Sequence, residues 1–154
     1  MKLLLCFFAP SCEGSFKVVM TILLLVISWV DFQERIIPNE LNLALLLLGS
    51  LQALVQPQFL SIWERLAGLF LISGIILLVN RLYPGGIGYG DVKLVGSVGF
   101  CLGLKRLLWG VIAGSFLAAG VILVLLITRR ISLKDKIAFG PYLCAGFLFV
   151  LWGL

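Results

Sequence analysis

The stretch LLWGVIAGSFLAAGVILVLLIT, residues Leu107–Thr128, decides the fold because it contains no charged side chain. About 20 mostly apolar residues are enough for a helix to cross the hydrocarbon core of a bilayer. The same character recurs along the 154-residue chain, which is 62% hydrophobic and 12% charged and has a mean hydropathy of +1.18. Soluble domains average about 25% charged residues. The sequence therefore predicts a small polytopic membrane protein.

Further apolar stretches on both sides of this segment predict the other helices. The stretch 92–104 is short and Gly-rich, but leaving it outside the membrane would expose apolar surface. Residues 1–10, MKLLLCFFAP, resemble the start of a signal peptide without its cleavage site, so we expect an interfacial segment or an extension of the first helix. We predict an all-α protein of about six transmembrane helices, with a single domain over residues 1–154 and its core at 16–154. The remaining predicted helices are Phe16–Val30, Leu41–Val55, Leu66–Asn80, Val92–Leu104 and Ile137–Leu154.

Six helices place the segments 31–40, 81–91 and 128–136 on one side of the membrane. Basic residues near helix ends favour that side by seven to five, so the positive-inside rule predicts that it faces the cytoplasm. Their position at the ends of apolar runs indicates anchoring at the membrane surface and accounts for the net charge of +5 without nucleic-acid binding. The seven are Arg35, Arg81, Lys93, Arg129, Arg130, Lys134 and Lys136, and the five are Lys2, Lys17, Arg65, Lys105 and Arg106.

Small residues and cysteines inside the apolar runs are predicted to pack helices. Gly110, Gly114 and Gly120 would let helices approach closely in lipid, where no hydrophobic drive brings helices together. Cys101 and Cys144 lie inside apolar stretches and are expected to be small packing residues. Cys6 and Cys12 could form a disulfide if the N-terminus faces an oxidising compartment.

The chain has no histidine, which narrows the chemistry that it can perform. A Ser-His-Asp site, a Cys-His site and an HExxH zinc site all need an imidazole. Hydrolysis must therefore come from carboxylates, Lys, Ser or Cys. The acidic residues are Glu13, Asp31, Glu34, Glu40, Glu64, Asp91 and Asp135.

Asp31 and Asp91 stand out among these acids because each lies at the boundary of an apolar helix. Asp31 follows Val30 at the C-terminal end of a predicted helix, where the macrodipole disfavours an anion. The simpler alternative for Asp31 is a solvated acid at a helix end. Asp91 follows four glycines in six residues, and its simpler alternative is an N-cap for a helix that begins at Val92. A phosphate-binding loop is disfavoured because no GK[ST] follows.

Two carboxylates brought close together have a known use in hydrolysis. Like charges a few ångström apart cannot both ionise cheaply, so the pair shares one proton. The ionised partner can deprotonate water while the protonated partner polarises a peptide carbonyl. This chemistry requires no metal, thiol or imidazole.

Three motifs, in this order, resemble those of the type IV prepilin peptidases. DFQERIIPNEL (31–41) resembles the first aspartate motif, GYGDVKL (88–94) resembles the GxGD motif, and IAFGPYLCAG (137–146) resembles a Phe-Gly-Pro element near the start of the last helix. The resemblance implies a six-helix membrane aspartyl endopeptidase with Asp31 and Asp91 as its catalytic pair. Such enzymes need no cofactor and cleave the short basic leader from prepilins or pseudopilins, typically after a Gly, at the cytoplasmic face of the bacterial inner membrane.

The resemblance also assigns expected roles around the aspartates and in the cell. Pro38 and Asn39 are expected to set the start of the second helix, and Lys93 to hold ionised Asp91 or to bind a lipid headgroup. The expected cellular roles are in type IV pilus assembly or protein secretion. The residues expected to shape the site are Gly88, Gly90, Lys93, Pro38, Asn39, Gly140 and Pro141.

The chain departs from longer family members, which carry an N-terminal region with paired CxxC motifs that bind zinc and is linked to methylation. Cys6 and Cys12 do not reproduce that spacing. We therefore expect peptidase activity without methyltransferase activity and without structural zinc. The alternative from another class is a non-catalytic membrane subunit of a pilus-assembly or export system that retains the fold. A presenilin-like protease is disfavoured because the Tyr-Asp and Pro-Ala-Leu motifs of that group are missing.

Overall fold

The computed structural model describes residues 2–82, 88–129 and 138–153, with side chains from residue 13 onward. Within these ranges it contains six α-helices and no strand, which confirms the predicted fold class. The helices are α1 (Lys2–Glu34), α2 (Asn39–Val55), α3 (Ile62–Leu82), α4 (Tyr89–Leu102), α5 (Leu104–Ile127) and α6 (Gly140–Gly153).

Three of the described helices are long and apolar enough to cross a membrane, namely the Glu13–Glu34 part of α1, α3 and α5. Large apolar side chains cover their outer faces, including Trp29, Phe70 and Phe116, each at least 66% exposed. In water such a surface would be a severe liability, whereas in lipid it is the expected outer face. The protein is therefore a membrane protein.

Helix α4 occupies the centre of the bundle. It packs against α2, α3, α5 and α6, whereas α1 packs against α2 and α6 on one flank. Nine of the 14 residues of α4 are buried. The first turn of α4 carries Asp91, so the most enclosed helix of the bundle holds one of the two candidate aspartates.

Glycines let several of these helices touch through their backbones. Gly68 of α3 meets Gly99 of α4 so closely that a Cβ on either would overlap the other's carbonyl. On α5, a Cβ at Gly114 would lie 2.8 Å from the Tyr142 carbonyl oxygen, and a Cβ at Gly110 would press on the Phe147 ring of α6. The packing role predicted for Gly110 and Gly114 is confirmed. The role predicted for Gly120 is wrong, because no atom of the described residues lies within 4 Å of the position that its Cβ would take.

Helix boundaries differ from the predicted ones in two instructive places. Helix α1 begins at Lys2 rather than Phe16, so the N-terminal apolar run extends the first helix, and it continues past Val30 to Glu34. Only Gly103 separates α4 from α5. Its φ of 78° is a conformation that glycine adopts readily, and it ends one helix before the next begins.

The cysteine predictions have separate outcomes. Cys101 and Cys144 are free and buried, as packing residues should be. The proposed Cys6–Cys12 disulfide lies outside the residues whose side chains the structure describes.

Candidate active site

Asp31 lies in the last turn of α1 and is 5% exposed. The helix ends after Glu34 because Arg35 adopts a left-handed conformation with φ 56°, and the Arg35 N–H donates to the Asp31 carbonyl oxygen at 2.9 Å. The interpretation of Asp31 as a solvated helix-end acid is wrong, because the carboxylate points into the bundle.

The start of α6 supplies the surroundings of the Asp31 carboxylate. The backbone N–H of Gly140 donates a hydrogen bond to this carboxylate, whereas its buried Oδ2 has no partner among the described residues. A side chain at position 140 would overlap Oδ2, so only glycine allows the helix to approach this closely. The C-terminal end of α1 disfavours an anion, but the N-terminus of α6 favours one. The second helix end thus compensates for the first.

The Phe-Gly-Pro step builds this helix start. The Phe139 carbonyl oxygen accepts from the N–H groups of Tyr142 at 3.2 Å and Leu143 at 3.3 Å, which begins the helical hydrogen bonding. Pro141 stands in the first turn, where a missing N–H removes no helical bond. Gly140 and Pro141 therefore start the last helix beside Asp31.

Asp91 is the third residue of α4 and is half-buried. The N-cap of this helix is Gly88, with an extended backbone at φ −65° and ψ 137°, so the interpretation of Asp91 as an N-cap is wrong. The Asp91 carboxylate instead accepts a hydrogen bond from the Gly88 N–H, as the third-position acid of a capping box does. Asp91 thus also lies at a helix N-terminus, where its charge is favoured.

Ile37 lies between Gly90, which precedes Asp91, and Gly140, which lies against Asp31. It is 7% exposed, its Cδ1 lies 3.3 Å from the position of a Cβ on Gly140, and its Cβ lies 3.1 Å from that of a Cβ on Gly90. The charge of Asp31 acts on Asp91, and Cys144 of α6 lies within the electrostatic reach of both. The structure therefore brings the two carboxylates to one end of the bundle, with an apolar side chain excluding water from one side.

Lys93 has a different partner from the one expected. Its Nζ donates to the Asn39 Oδ1 at 2.7 Å, which links α4 to the first residue of α2. The only ion pair within the described part of the chain joins Lys17 and Glu13, so Lys93 does not hold Asp91 by a salt bridge. Pro38 is the N-cap of α2 with φ −60° and ψ 138°, so α2 begins where the Pro-Asn step was expected to start it. Headgroup binding by Lys93 stays a prediction.

Sequence reasoning missed two residues of this site, Ile37 and Cys144. Ile37 lies inside the motif that contains Pro38, and only its contacts with two glycines on separate helices give it a role. Cys144 lies one helical turn after Gly140 and shares its face of α6. Within residues 13–82, 88–129 and 138–153, no three His, Cys, Asp or Glu side chains form a group able to hold a metal ion.

Comparison with known proteins adds an independent finding. The model of the type IV leader peptidase family matches residues 18–124, which include both aspartates. The chain is 32% identical to a prepilin leader peptidase/N-methyltransferase of Aeromonas hydrophila over 94% of its own length and 52% of the relative's. A protein of the same name from Burkholderia pseudomallei is 33% identical over 92% of this chain and 47% of the relative. One from Bacillus subtilis is 31% identical over 90% of this chain and 56% of the relative. The chain spans about half the length of these relatives. No solved structure matches it.

Proposed function

Because the chain belongs to the type IV leader peptidase family, we propose that it is a membrane aspartyl endopeptidase that cleaves the leader from type IV prepilins or pseudopilins. Asp31 and Asp91 are its catalytic pair. The relatives named as prepilin leader peptidases support this substrate class. We further propose that residues 1–154 form a single membrane-embedded peptidase domain.

One observation supports this proposal more strongly than any other. Two carboxylates that are 60 positions apart in sequence lie at one end of the bundle, where the charge of one acts on the other, each beside the N-terminus of a different helix. Their like charges oppose this placement, and the buried Asp31 Oδ2 has no partner among the described residues. Groups held in so unfavourable an arrangement are typical of catalytic sites, where acidic groups are placed for proton transfer.

The chemistry follows from sharing one proton between the two carboxylates. The ionised carboxylate takes a proton from water while the water oxygen forms a bond to the carbonyl carbon of the scissile peptide. The protonated carboxyl donates its proton to the carbonyl oxygen, and a tetrahedral diol results. The carboxyl that took the proton from water then gives it to the peptide nitrogen, a hydroxyl of the diol returns a proton to the other carboxylate, and the C–N bond breaks. The products are a leader with a free carboxylate and a mature chain with a free amine.

The lengths of the helices support a site near the membrane boundary. Helices α4 and α6 have 14 residues each, about 21 Å at 1.5 Å per residue, against a hydrocarbon core of about 30 Å. Asp91 and Gly140 lie at the starts of these short helices. The carboxylates are thus recessed below the headgroups, within reach of a peptide that leaves the membrane.

We place the site at the cytoplasmic face of the bacterial inner membrane. Basic residues near the helix ends on the aspartate side outnumber those on the other side. Arg65 is counted on the other side, but it is 1% exposed and does not face a headgroup. Leaving it out increases the excess of basic residues on the aspartate side. A basic leader, repelled from crossing the membrane, would remain on that side.

Leader cleavage of a co-expressed prepilin tests the proposal. We expect the wild type to process the leader and Asp31→Ala and Asp91→Ala to leave it uncut. Glu34→Ala is the matched control, because Glu34 is an exposed acid in the same turn of α1 as Asp31. Cleavage by either aspartate variant would refute the assignment. Failure of the wild type on every prepilin offered would favour the non-catalytic subunit instead.

A further inference from the structure

A groove of about 630 Å³ opens on the flank of the bundle between α2, α3 and α4. Most of its wall is apolar, with Leu46 from α2, Leu69 from α3 and Val92 from α4. Tyr89 and Lys93 line its end and lie two residues before and after Asp91 on α4. The groove therefore begins at the aspartate end of the bundle and runs along the membrane.

Asn42 is the feature of this groove that its apolar wall does not explain. Its side chain lines the groove and is 4% exposed, and neither Nδ2 nor Oδ1 has a hydrogen-bond partner among the described residues. An amide group can donate two hydrogen bonds and accept two. Leaving a buried polar group unpaired destabilises the folded protein. A leucine would fill this position at lower cost, so the amide indicates a polar partner that the described residues do not supply.

We propose that this groove binds the apolar segment of the prepilin that follows the cleavage site, and that Asn42 hydrogen-bonds the backbone of this segment where it leaves the helical conformation. The inference rests on the proposed function and names the surface that holds the substrate along α4, the helix whose first turn carries Asp91. An acyl chain of a lipid would fill the apolar wall equally well, but it has no group that can bond to the amide.

The need for an unwound backbone follows from the chemistry of the membrane. A helix satisfies all of its internal peptide groups, and its carbonyls are turned away from an attacking water. To expose one peptide bond, the substrate must free several N–H and C=O groups in an environment with little water to receive them. Asn42 can accept from one freed N–H and donate to one freed C=O, so it lowers the cost of unwinding at this depth.

The hydrogen bond between Lys93 and Asn39 distinguishes the aspartate end of the groove from its other end. It spans from α4 to α2 at 2.7 Å, and Asn39 lies one turn before Asn42 on the same face of α2. The ammonium group at this end repels a basic leader and keeps it out of the groove. The apolar segment therefore enters the groove while the leader remains on the aqueous side of Asp91.

A cleavage assay on purified protein in liposomes tests the role of Asn42. The probe is a synthetic peptide with a short Lys/Arg-rich leader, a Gly and about 20 apolar residues. We expect Asn42→Leu to raise KM about tenfold with a smaller change in kcat, and Asn42→Gln to restore part of the loss. Ser50→Leu is the matched control, since Ser50 is an exposed polar residue of α2 that bonds only to its own helix, at the Leu46 carbonyl oxygen.

Thermal stability separates this role from a structural one. Asn42→Leu removes an unpaired buried amide, so we expect its melting temperature to equal or exceed that of the wild type. A fall in melting temperature together with an unchanged KM would make Asn42 a structural residue and overturn the proposal.

Photo-crosslinking tests the groove without requiring cleavage. A benzophenone amino acid at position 46, in the Asp91→Asn protein, should crosslink to the apolar segment of the peptide. The same group at position 54, which is 80% exposed on α2 and outside the groove, should not. Adducts with phospholipid alone at position 46 would make the groove a lipid site and refute the inference. Crosslinking to the peptide by a wild-type protein that cleaves nothing would instead refute the proposed function alone.

Discussion

The two ends of the bundle both bury charged groups, but they hold them in opposite ways. At the end opposite the aspartates, Arg65 is 1% exposed and its Nη1 donates to the Gly49 carbonyl oxygen, the Gln52 Oε1 and the Phe100 carbonyl oxygen, all within 3.3 Å. One positive charge thus joins α2, α3 and α4. At the aspartate end, two carboxyl groups converge and would repel one another if both were ionised.

The two arrangements indicate that the Arg65 end stabilises the fold and that the aspartate end serves chemistry. The guanidinium of Arg65 bonds to carbonyls in the C-terminal halves of α2 and α4, where a cation is favoured, and its CZ lies 5.9 Å from the centre of the Phe100 ring. Removing it takes the hydrogen-bond partner from the buried Gln52 Oε1, although the Nε and Nη2 atoms of Arg65 have no partner of their own among the described residues. Removing one aspartate relieves a repulsion. Stability should therefore fall at one end and not at the other.

The largest effect on stability is expected at Arg65. Arg65→Met should lower the free energy of unfolding, because a buried acceptor that loses its partner, here the Gln52 Oε1, costs about 1–3 kcal/mol. Thermal unfolding in detergent measures the change. Lys105→Met, which removes an exposed positive charge at the same end, is the control and should leave the melting temperature unchanged. A stable Arg65→Met protein would show that this end does not hold the bundle together.

A smaller effect, on activity, is expected at Gly140. Gly140→Ala places a Cβ against the Asp31 Oδ2 and pushes α6 away from the carboxylate, so leader cleavage should fall about 10- to 100-fold, which corresponds to about 1.4–2.8 kcal/mol. Gly120→Ala is the matched control, because its added methyl group would have no atom within 4 Å in the part of the chain that the structure describes. Equal activity of the two variants would remove Gly140 from the account of the site.

The hydrogen bond between Lys93 and Asn39, at the aspartate end of the groove, should contribute less to stability than Arg65 does. Lys93→Met breaks the exposed bond to Asn39, and bonds of charged groups at exposed positions contribute about 0.2–1 kcal/mol. The melting temperature should therefore change little. Asn39→Ala breaks the same bond from the other side and should give the same shift. A large loss of stability in either variant would mean that this hydrogen bond, and not the packing of α4, fixes the spacing of α2.

The smallest effect on stability is expected at the aspartates themselves. Asp31→Asn and Asp91→Asn keep the shape of the side chain and remove one of two like charges, so the melting temperature should stay the same or rise slightly. Glu34→Gln makes the same chemical change at an exposed position and gives the baseline. A marked fall in melting temperature in the aspartate variants would indicate that the carboxylates hold the fold, as Arg65 does.

Much of the aspartate end could be predicted from the sequence, whereas little of the Arg65 end could. The apolar runs predicted the order of the six helices, and the GxGD and Phe-Gly-Pro motifs located Asp91 and Gly140. The burial of Arg65 could not be predicted, because an Arg near the start of an apolar helix usually anchors at the membrane surface. Only the packing of three helices around it shows that its partners lie inside.

The details of the site escaped prediction for a related reason. Helix pairing in lipid depends on where small residues let backbones meet, such as Gly114 against Leu143, and these contacts join positions far apart in sequence. The N-terminus of α6 beside Asp31 and the position of Ile37 between Gly90 and Gly140 both follow from that pairing. The N-cap at Gly88 was missed because an Asp after glycines is itself a good cap.

The most direct test of the central claim is leader release by purified protein in liposomes, measured by mass spectrometry for the wild type, Asp31→Asn, Asp91→Asn and Glu34→Gln. We expect the wild type and Glu34→Gln to release the leader at equal rates. Each aspartate variant, folded and as stable as the wild type, should be at least about 10³-fold slower, in the range that a general acid or base contributes. Release at the wild-type rate by either aspartate variant would contradict the account.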